Sequence, residues 1–178
     1  TYGHEVTIDT HLAGIYNFAN VMSAIAVGKH FGVSTQNIAE AITKYEPDNS
    51  RSQWLKKGTN NLIMDAYNAN PTSMRAAIAN FVQTNLPNKC LWLGGMKEMG
   101  ASEPQEHNDL VAYIANHQWQ EVILVGKEFE GINNGYIWFA TSAQAADFVK
   151  AKQPQNASIL VKGSRGSKME LMVAALEH

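Results

Sequence analysis

The chain has 178 residues, 45% of them hydrophobic and 17% charged, which is enough for a buried core and excludes a disordered composition. Lys plus Arg number 14 against 16 Asp plus Glu, and the net charge of -2 gives neither a basic field for nucleic acid nor a polybasic membrane anchor. No run reaches the roughly 18 apolar residues that a membrane span needs, so the composition predicts a soluble globular protein with no membrane insertion. The single cysteine, Cys90 in "CLWLGG", excludes an internal disulfide and fits a reducing cytoplasm.

At the start, "TYGHEVTIDT" lacks an initiating Met, a positive n-region and an apolar h-region. It therefore reads as a short strand inside a longer protein rather than as a signal peptide. From Asn17 to Phe31, apolar residues at Phe18, Val21, Met22 and Ile25 repeat at helical spacing, with Gly32 as the stop. Ser34 or Thr35 can cap a second helix, in which Ile38, Ala41, Ile42 and Tyr45 repeat the spacing until "EPDNSRS" breaks it. The first fifty residues are too few elements to make a domain, and the boundary is placed at residues 50 and 51.

Beyond Arg51, short apolar runs alternate with helical patterns. The runs are "LIMDA", "CLWLGG", "VILVG", "YIWFA" and "SILVKG". Strands rich in Ile, Leu and Val without polar alternation are buried on both faces, and their alternation with helices predicts right-handed crossovers onto a mostly parallel sheet. Residues 51–175 are thus expected to form an α/β, Rossmann-like three-layer domain preceded by a helical tail. The final "LEH", residues 176–178, reads as the scar of a purification tag.

In open parallel sheets ligands sit beyond the carboxyl ends of the strands, so the loops after each run carry the functional candidates. "DAYNANP" places Asp65, Tyr67, Asn68 and Asn70 between a strand and a helix. Asn70 before Pro71 suits an N-cap. "KGSRGSK" offers Lys162, Ser164 and Arg165 with two glycines, either a cradle for a carboxylate or phosphate or a glycine turn with solvated cations. "GGMKEMGASEPQEH" holds Glu98 and His107, but no second ligand stands at metal spacing, so His107 reads more simply as a hydrogen-bonded residue in the first turns of a helix. "GKEFEGINNG" reads as an exposed turn. Neither G-x-x-x-x-G-K-[ST] nor G-x-G-x-x-G occurs, so for a protein that uses a nucleoside triphosphate the dedicated phosphate-cradling loop is missing from this chain. Asn17 and Asn20, three apart on one helix face, can present amides to the edge of adenine, and capping explains Asn17 alone.

These segments carry a resemblance. "GIYNFANVMSAIAVGKHFGV", "NSRSQ", "MDAYNANPTSM", "LGGMKEMG" followed by His107, and "VKGSRGSKME" resemble, in order, the blocks of the Mur ligases. The likeness is closest to the branch that adds D-alanyl-D-alanine to UDP-N-acetylmuramoyl-tripeptide, and it runs from about Leu12 to Glu170. "DAYNANP" with "KGSR" is its specific pair. Two positions depart: Tyr16 stands where the family has His, and Gly95 where it has Asp.

The resemblance implies that residues 1–50 are the tail of a central ATP-binding domain and residues 51–175 the C-terminal domain of such a ligase. The P-loop would lie in the rest of the same polypeptide, leaving this chain inactive alone. Asn17 and Asn20 would contact adenine, with Arg51 and Asp65 on the ribose and phosphates. Asn68, Asn70, Glu98, His107, Lys162, Ser164 and Arg165 would serve the dipeptide or the closed-state interface, and no residue here would bind a metal. The implied reaction is ATP-dependent amide synthesis in the bacterial cytoplasm. ATP, with Mg²⁺ held mainly elsewhere, converts the tripeptide carboxylate to an acyl phosphate that the dipeptide amine then displaces. Asp65→Ala is expected to impair nucleotide use and leave the fold intact. Another Mur-type or folylpolyglutamate synthase-like ligase, and a stand-alone nucleotide- or amino-acid-binding module, are the competing readings.

Overall fold

The computed structural model describes residues 5–47, 51–132 and 135–177. Two helices come first, α1 (Phe18–His30) and α2 (Thr35–Lys44), with a 3-10 turn at Ile15–Asn17 leading into α1. The order then runs β1 (Gln53–Lys57), β2 (Asn60–Asp65), α3 (Pro71–Gln83), β3 (Lys89–Gly94), α4 (Glu103–Ala115), β4 (Glu121–Val125), β5 (Ile137–Phe139), α5 (Ser142–Lys152), β6 (Ser158–Lys162) and α6 (Glu170–Ala174).

The strands form one sheet in the order β1-β2-β6-β3-β4-β5. All neighbours are parallel except β1, which runs antiparallel to β2. Successive strand residues point to opposite faces, and both faces are covered. Ile63, Leu91, Leu93, Leu124 and Leu160 pack under Met74, Ile78 and Phe81 of α3 and Leu110 and Ile114 of α4. Met64, Trp92, Ile123, Ile159 and Val161 pack under Ala145 and Val149 of α5 and Met172 and Val173 of α6. The expected three-layer α/β domain is therefore present, with near-continuous apolar strands buried on two sides.

Three details differ from the expectation. Residues 5–11 form no strand, and only Leu12 bridges Gln53. β1 has no apolar run to announce it: Trp54 and Leu55 lie among Gln53, Lys56 and Lys57, and it survives as an edge strand because only one side needs a partner. Leu176, read as part of a tag scar, is 4% exposed and packs in the α5/α6 core. His178 and residues 48–50, on which the expected boundary falls, lie outside the described residues.

The helical tail is stitched to the domain through residues 12–16, which meet Ser52 and Gln53. Ala13 is buried in the α3/α4 core and its N–H donates to the Ser52 carbonyl at 2.8 Å. Ser34 caps α2 by accepting from the Asn37 N–H. The apolar stripe of α1, by contrast, is only partly covered: Val21 and Ile25 are half-buried, while Phe18 is 63% and Met22 46% exposed. Among the described residues no helix is long and apolar enough to cross a membrane.

Candidate functional site

The last residues of β2 and β6, Asp65 and Lys162, are direct partners in the parallel register. Lys162 is 2% exposed, and its ammonium donates to Asp65 Oδ2 at 2.6 Å and to the Asn68 carbonyl at 3.4 Å. The Ser52 N–H donates to Asp65 Oδ1 at 3.3 Å, so both carboxylate oxygens are occupied. Tyr16 joins this group, its hydroxyl 3.0 Å from Ser52 Oγ. Burial, and then the negative charge of Asp65, raise the phenol pKa above its ordinary value. The four side chains tie the tail, β1, β2 and β6 together at the carboxyl edge of the sheet.

Beside them lies a cationic pair. The Arg51 guanidinium stacks 3.7 Å from the centre of the Tyr67 ring, and that of Arg165 lies 5.4 Å from the same ring. Both arginines are exposed. A tyrosine face attracts guanidinium groups, so Tyr67 holds two like charges near each other. Hydrogen bonding to Arg51, then the charges of Arg51 and Arg165, lower the Tyr67 pKa. Two fixed, solvent-facing guanidiniums suit an oxyanion such as a phosphate. The grouping at Tyr67 was not legible in the sequence, since its partners lie 16 positions upstream and 98 downstream in the chain.

The remaining candidates divide. Asn17 is buried and stands at the N-cap position of α1 without making a side-chain capping bond: its Nδ2 donates to the Ala13 carbonyl at 2.8 Å and its Oδ1 accepts from Asn20 Nδ2 at 3.0 Å. Asn17 therefore holds exposed Asn20, and the two do not offer two free amides to one base. Asn70 caps α3 in a reciprocal capping box with Ser73, which commits its side-chain oxygen to the helix start. Asn68 is exposed and its Oδ1 accepts from the Ala69 N–H.

On the other half of the edge, His107 is fully buried and unavailable to a ligand. Its Nε2 accepts from the Met96 N–H at 3.0 Å, which puts the ring proton on Nδ1, 2.7 Å from the Glu103 carbonyl. It pins the loop after β3 to α4, and the ring of Phe129 meets it edge-on at 4.8 Å. Glu98 is exposed, in a left-handed backbone conformation with φ 63°. Ser164 is buried, its hydroxyl 2.9 Å from Ser167 Oγ. The "KGSRGSK" loop makes a 3-10 turn, Arg165–Ser167, before the five-residue α6, so long-helix dipole arguments do not apply to it. "GKEFEGINNG" is more than an exposed turn: Phe129 is 2% exposed, Glu128 is ion-paired with Lys97, and Asn133 and Asn134 lie outside the described residues. Among the described residues no group of three or more His, Cys, Asp or Glu is placed to hold a metal ion.

Residues 50–165 match the family described as "Mur ligase, glutamate ligase domain". The chain belongs to this Mur ligase family. A relative in Bacillus subtilis (strain 168), UDP-N-acetylmuramoyl-tripeptide--D-alanyl-D-alanine ligase, is 32% identical over 98% of this chain and 40% of its own length. A crystal structure of MurF from Acinetobacter baumannii superposes with a TM-score of 0.81 at 33% identity, covering 95% of this chain and 39% of that one. A structure of MurF ligase from Thermotoga maritima in complex with ADP shares the fold, with a TM-score of 0.75 at 18% identity over 92% of this chain and 38% of that one. The chain thus spans about 40% of the length of the curated relative.

Within the Mur ligase pattern, the two departures have distinct structural answers. Tyr16, in place of His, is committed to Ser52 and Asp65. Gly95, in place of Asp, leaves room that another acid fills: a Cβ at Gly95 would lie 2.5 Å from Glu128 Oε2. A carboxylate is therefore present at the end of β3, brought there from the loop after β4.

Proposed function

We propose that the chain is the C-terminal part of a bacterial cytoplasmic ligase that joins D-alanyl-D-alanine to UDP-N-acetylmuramoyl-tripeptide at the expense of ATP. In this reading residues 1–50 are the tail of the ATP-binding domain and residues 51–175 the domain that receives the dipeptide. The observation that carries it is the edge formed by Arg51, Asp65, Tyr67, Lys162 and Arg165, where exposed guanidiniums stand beside a closed ion pair. "YNANP" and "KGSR" favour it over another Mur-type or folylpolyglutamate synthase-like ligase.

Each residue has a physical task. Arg51 and Arg165, held on Tyr67, fit the phosphates of ATP, and Asn20 fits the adenine edge with Asn17 fixing its orientation. Both oxygens of Asp65 already accept hydrogen bonds, and among the described residues no group of three or more His, Cys, Asp or Glu stands ready for Mg²⁺, so no step is assigned to the metal here. Asp65 and Lys162 act instead as a rigid strut that sets the two arginine-bearing loops. The chemistry is displacement of phosphate from the activated tripeptide carboxylate: the dipeptide nitrogen bonds to the acyl carbon, the C–O bond to phosphate breaks, and a proton leaves the amine. Its rate depends on bringing amine and acyl carbon to within about 3–3.5 Å, which a domain anchored by bound nucleotide accomplishes.

Titration of the chain with ATP, followed by NMR at the Tyr67 ring and the arginine Nε–H groups, tests the nucleotide half. Arg51→Ala and Arg165→Ala are each expected to weaken binding about tenfold, the loss of one charge-assisted contact. Unchanged affinity in both variants contradicts the assignment.

A further inference from the structure

A cleft of about 530 Å³ opens beyond the carboxyl ends of β4 and β5 and the β6 loop, walled by Lys97, Lys127, Glu128, Ser142 and Lys168 among others. Glu128 is the unusual wall residue. Gly126 leaves β4 at φ 123°, and the following 3-10 turn folds the Glu128 side chain back until it is only 7% exposed. Its carboxylate lies against two glycines, since a Cβ at Gly95 or Gly126 would come within 2.5 or 2.2 Å of Oε2. One oxygen takes the Lys97 ammonium, while Oε2 is buried with no hydrogen-bond partner. A buried carboxylate oxygen without a donor is unfavourable, and the ion pair with Lys97 occupies only the other oxygen.

We propose that Glu128 is the specificity residue that reads the ammonium end of the incoming peptide in this cleft. The inference rests on the reading of the domain as the one that receives the dipeptide, and adds to it a residue and a polarity. A ligand ammonium supplies the donor that Oε2 lacks, reached by a small rotation of the side chain. Lys127 and Lys168, both exposed, stand on the same wall to take the carboxylate end. Paired acidic and basic walls select a short zwitterion over either a free amine or a free acid. The cleft occupies the β4–β5 half of the edge, and the Arg51–Tyr67–Arg165 group the β2–β6 half, so peptide and nucleotide need not compete.

The test is calorimetry on the full chain with D-alanyl-D-alanine, its N-acetyl derivative, its C-terminal amide and L-alanyl-L-alanine. The wild-type protein is expected to prefer the free-amine dipeptide to the N-acetyl form by about tenfold or more. Glu128→Gln should abolish that preference while leaving affinity for the N-acetyl form unchanged. Lys168→Gln should reduce the preference for the free carboxylate over the amide and keep the amine preference, a pattern that general unfolding does not produce. The proposal is overturned if wild-type protein binds the N-acetyl form equally well, if Glu128→Gln keeps the preference, or if none of the four ligands binds. Should both dipeptides bind alike, with an amine preference that Glu128→Gln removes, Glu128 keeps its role and it is the D-alanyl-D-alanine assignment that fails.

Discussion

Lys162 Nζ lies 2.6 Å from Asp65 Oδ2, joining the ends of two adjacent parallel strands with a side-chain exposure of 3% for the lysine and 15% for the aspartate. Removing one partner strands a buried charge, which costs about 3–5 kcal/mol, whereas removing both is far milder. Asp65→Ala is therefore expected to lower the melting temperature sharply, in contrast to the expectation of an intact fold drawn from the sequence. Thermal melts of Asp65→Asn, Lys162→Met and the double variant check this. The double variant should be more stable than the sum of the single effects predicts, and strict additivity would show that the pair is not coupled.

His107 makes stability fall in mild acid. Burial, the largest influence, holds its pKa below the usual histidine value of 6.5. The unfolded chain thus binds a proton that the folded chain refuses, and stability rises with pH in the window below 6.5. It is fully present above the unfolded value and is lost as pH falls through the folded one. Denaturant midpoints measured between pH 5 and 7.5 should decline toward pH 5, and the decline should be shallower in His107→Gln. An equally steep decline in that variant would assign the effect to other groups.

Cys90 reports on unfolding. The thiol is 3% exposed, and burial together with Glu121 pushes its pKa up to about 11, so little thiolate exists at pH 8. Iodoacetamide labelling at that pH should be slow in the native protein and rapid in guanidinium. Fast native labelling would mean that the start of β3, where Cys90 sits, opens far more often than its packing implies.

Gly95 and Glu128 share one volume. Gly95→Asp, which restores the family's residue, should destabilise this protein by about 1–3 kcal/mol through overpacking and like-charge contact. Gly95→Asp combined with Glu128→Ala should recover most of that loss. If Gly95→Asp alone is neutral by denaturant titration, the carboxylate of Glu128 does not fill the site.

The sequence made the sheet legible because five of its six strands are nearly continuous apolar runs, and the α3 cap legible because Asn70-Pro71 carries a local signal. β1 escaped notice because an edge strand needs neither an apolar run nor alternation. The site was half legible. Lys162, Asp65, Arg51 and Arg165 stand in recognisable loops, but their pairing depends on strand order, which places β6 between β2 and β3. Glu128 escaped for the same reason: its contact with Gly95 spans 33 positions and is created by the β3–β4 register. Asn17 and His107 show the reverse: both are buried and hold backbone, which for His107 is the hydrogen-bonded helix residue that its spacing suggested rather than the ligand role that the resemblance implied.

The most direct test of the account is ATP turnover by the proposed full-length ligase, assayed with UDP-N-acetylmuramoyl-tripeptide and a panel of acceptors. The account predicts phosphate release that depends on D-alanyl-D-alanine and exceeds that with L-alanyl-L-alanine or single amino acids by at least about tenfold, about 1.4 kcal/mol of transition-state discrimination. Turnover that is indifferent to the acceptor, or that prefers a single amino acid such as glutamate, would contradict it.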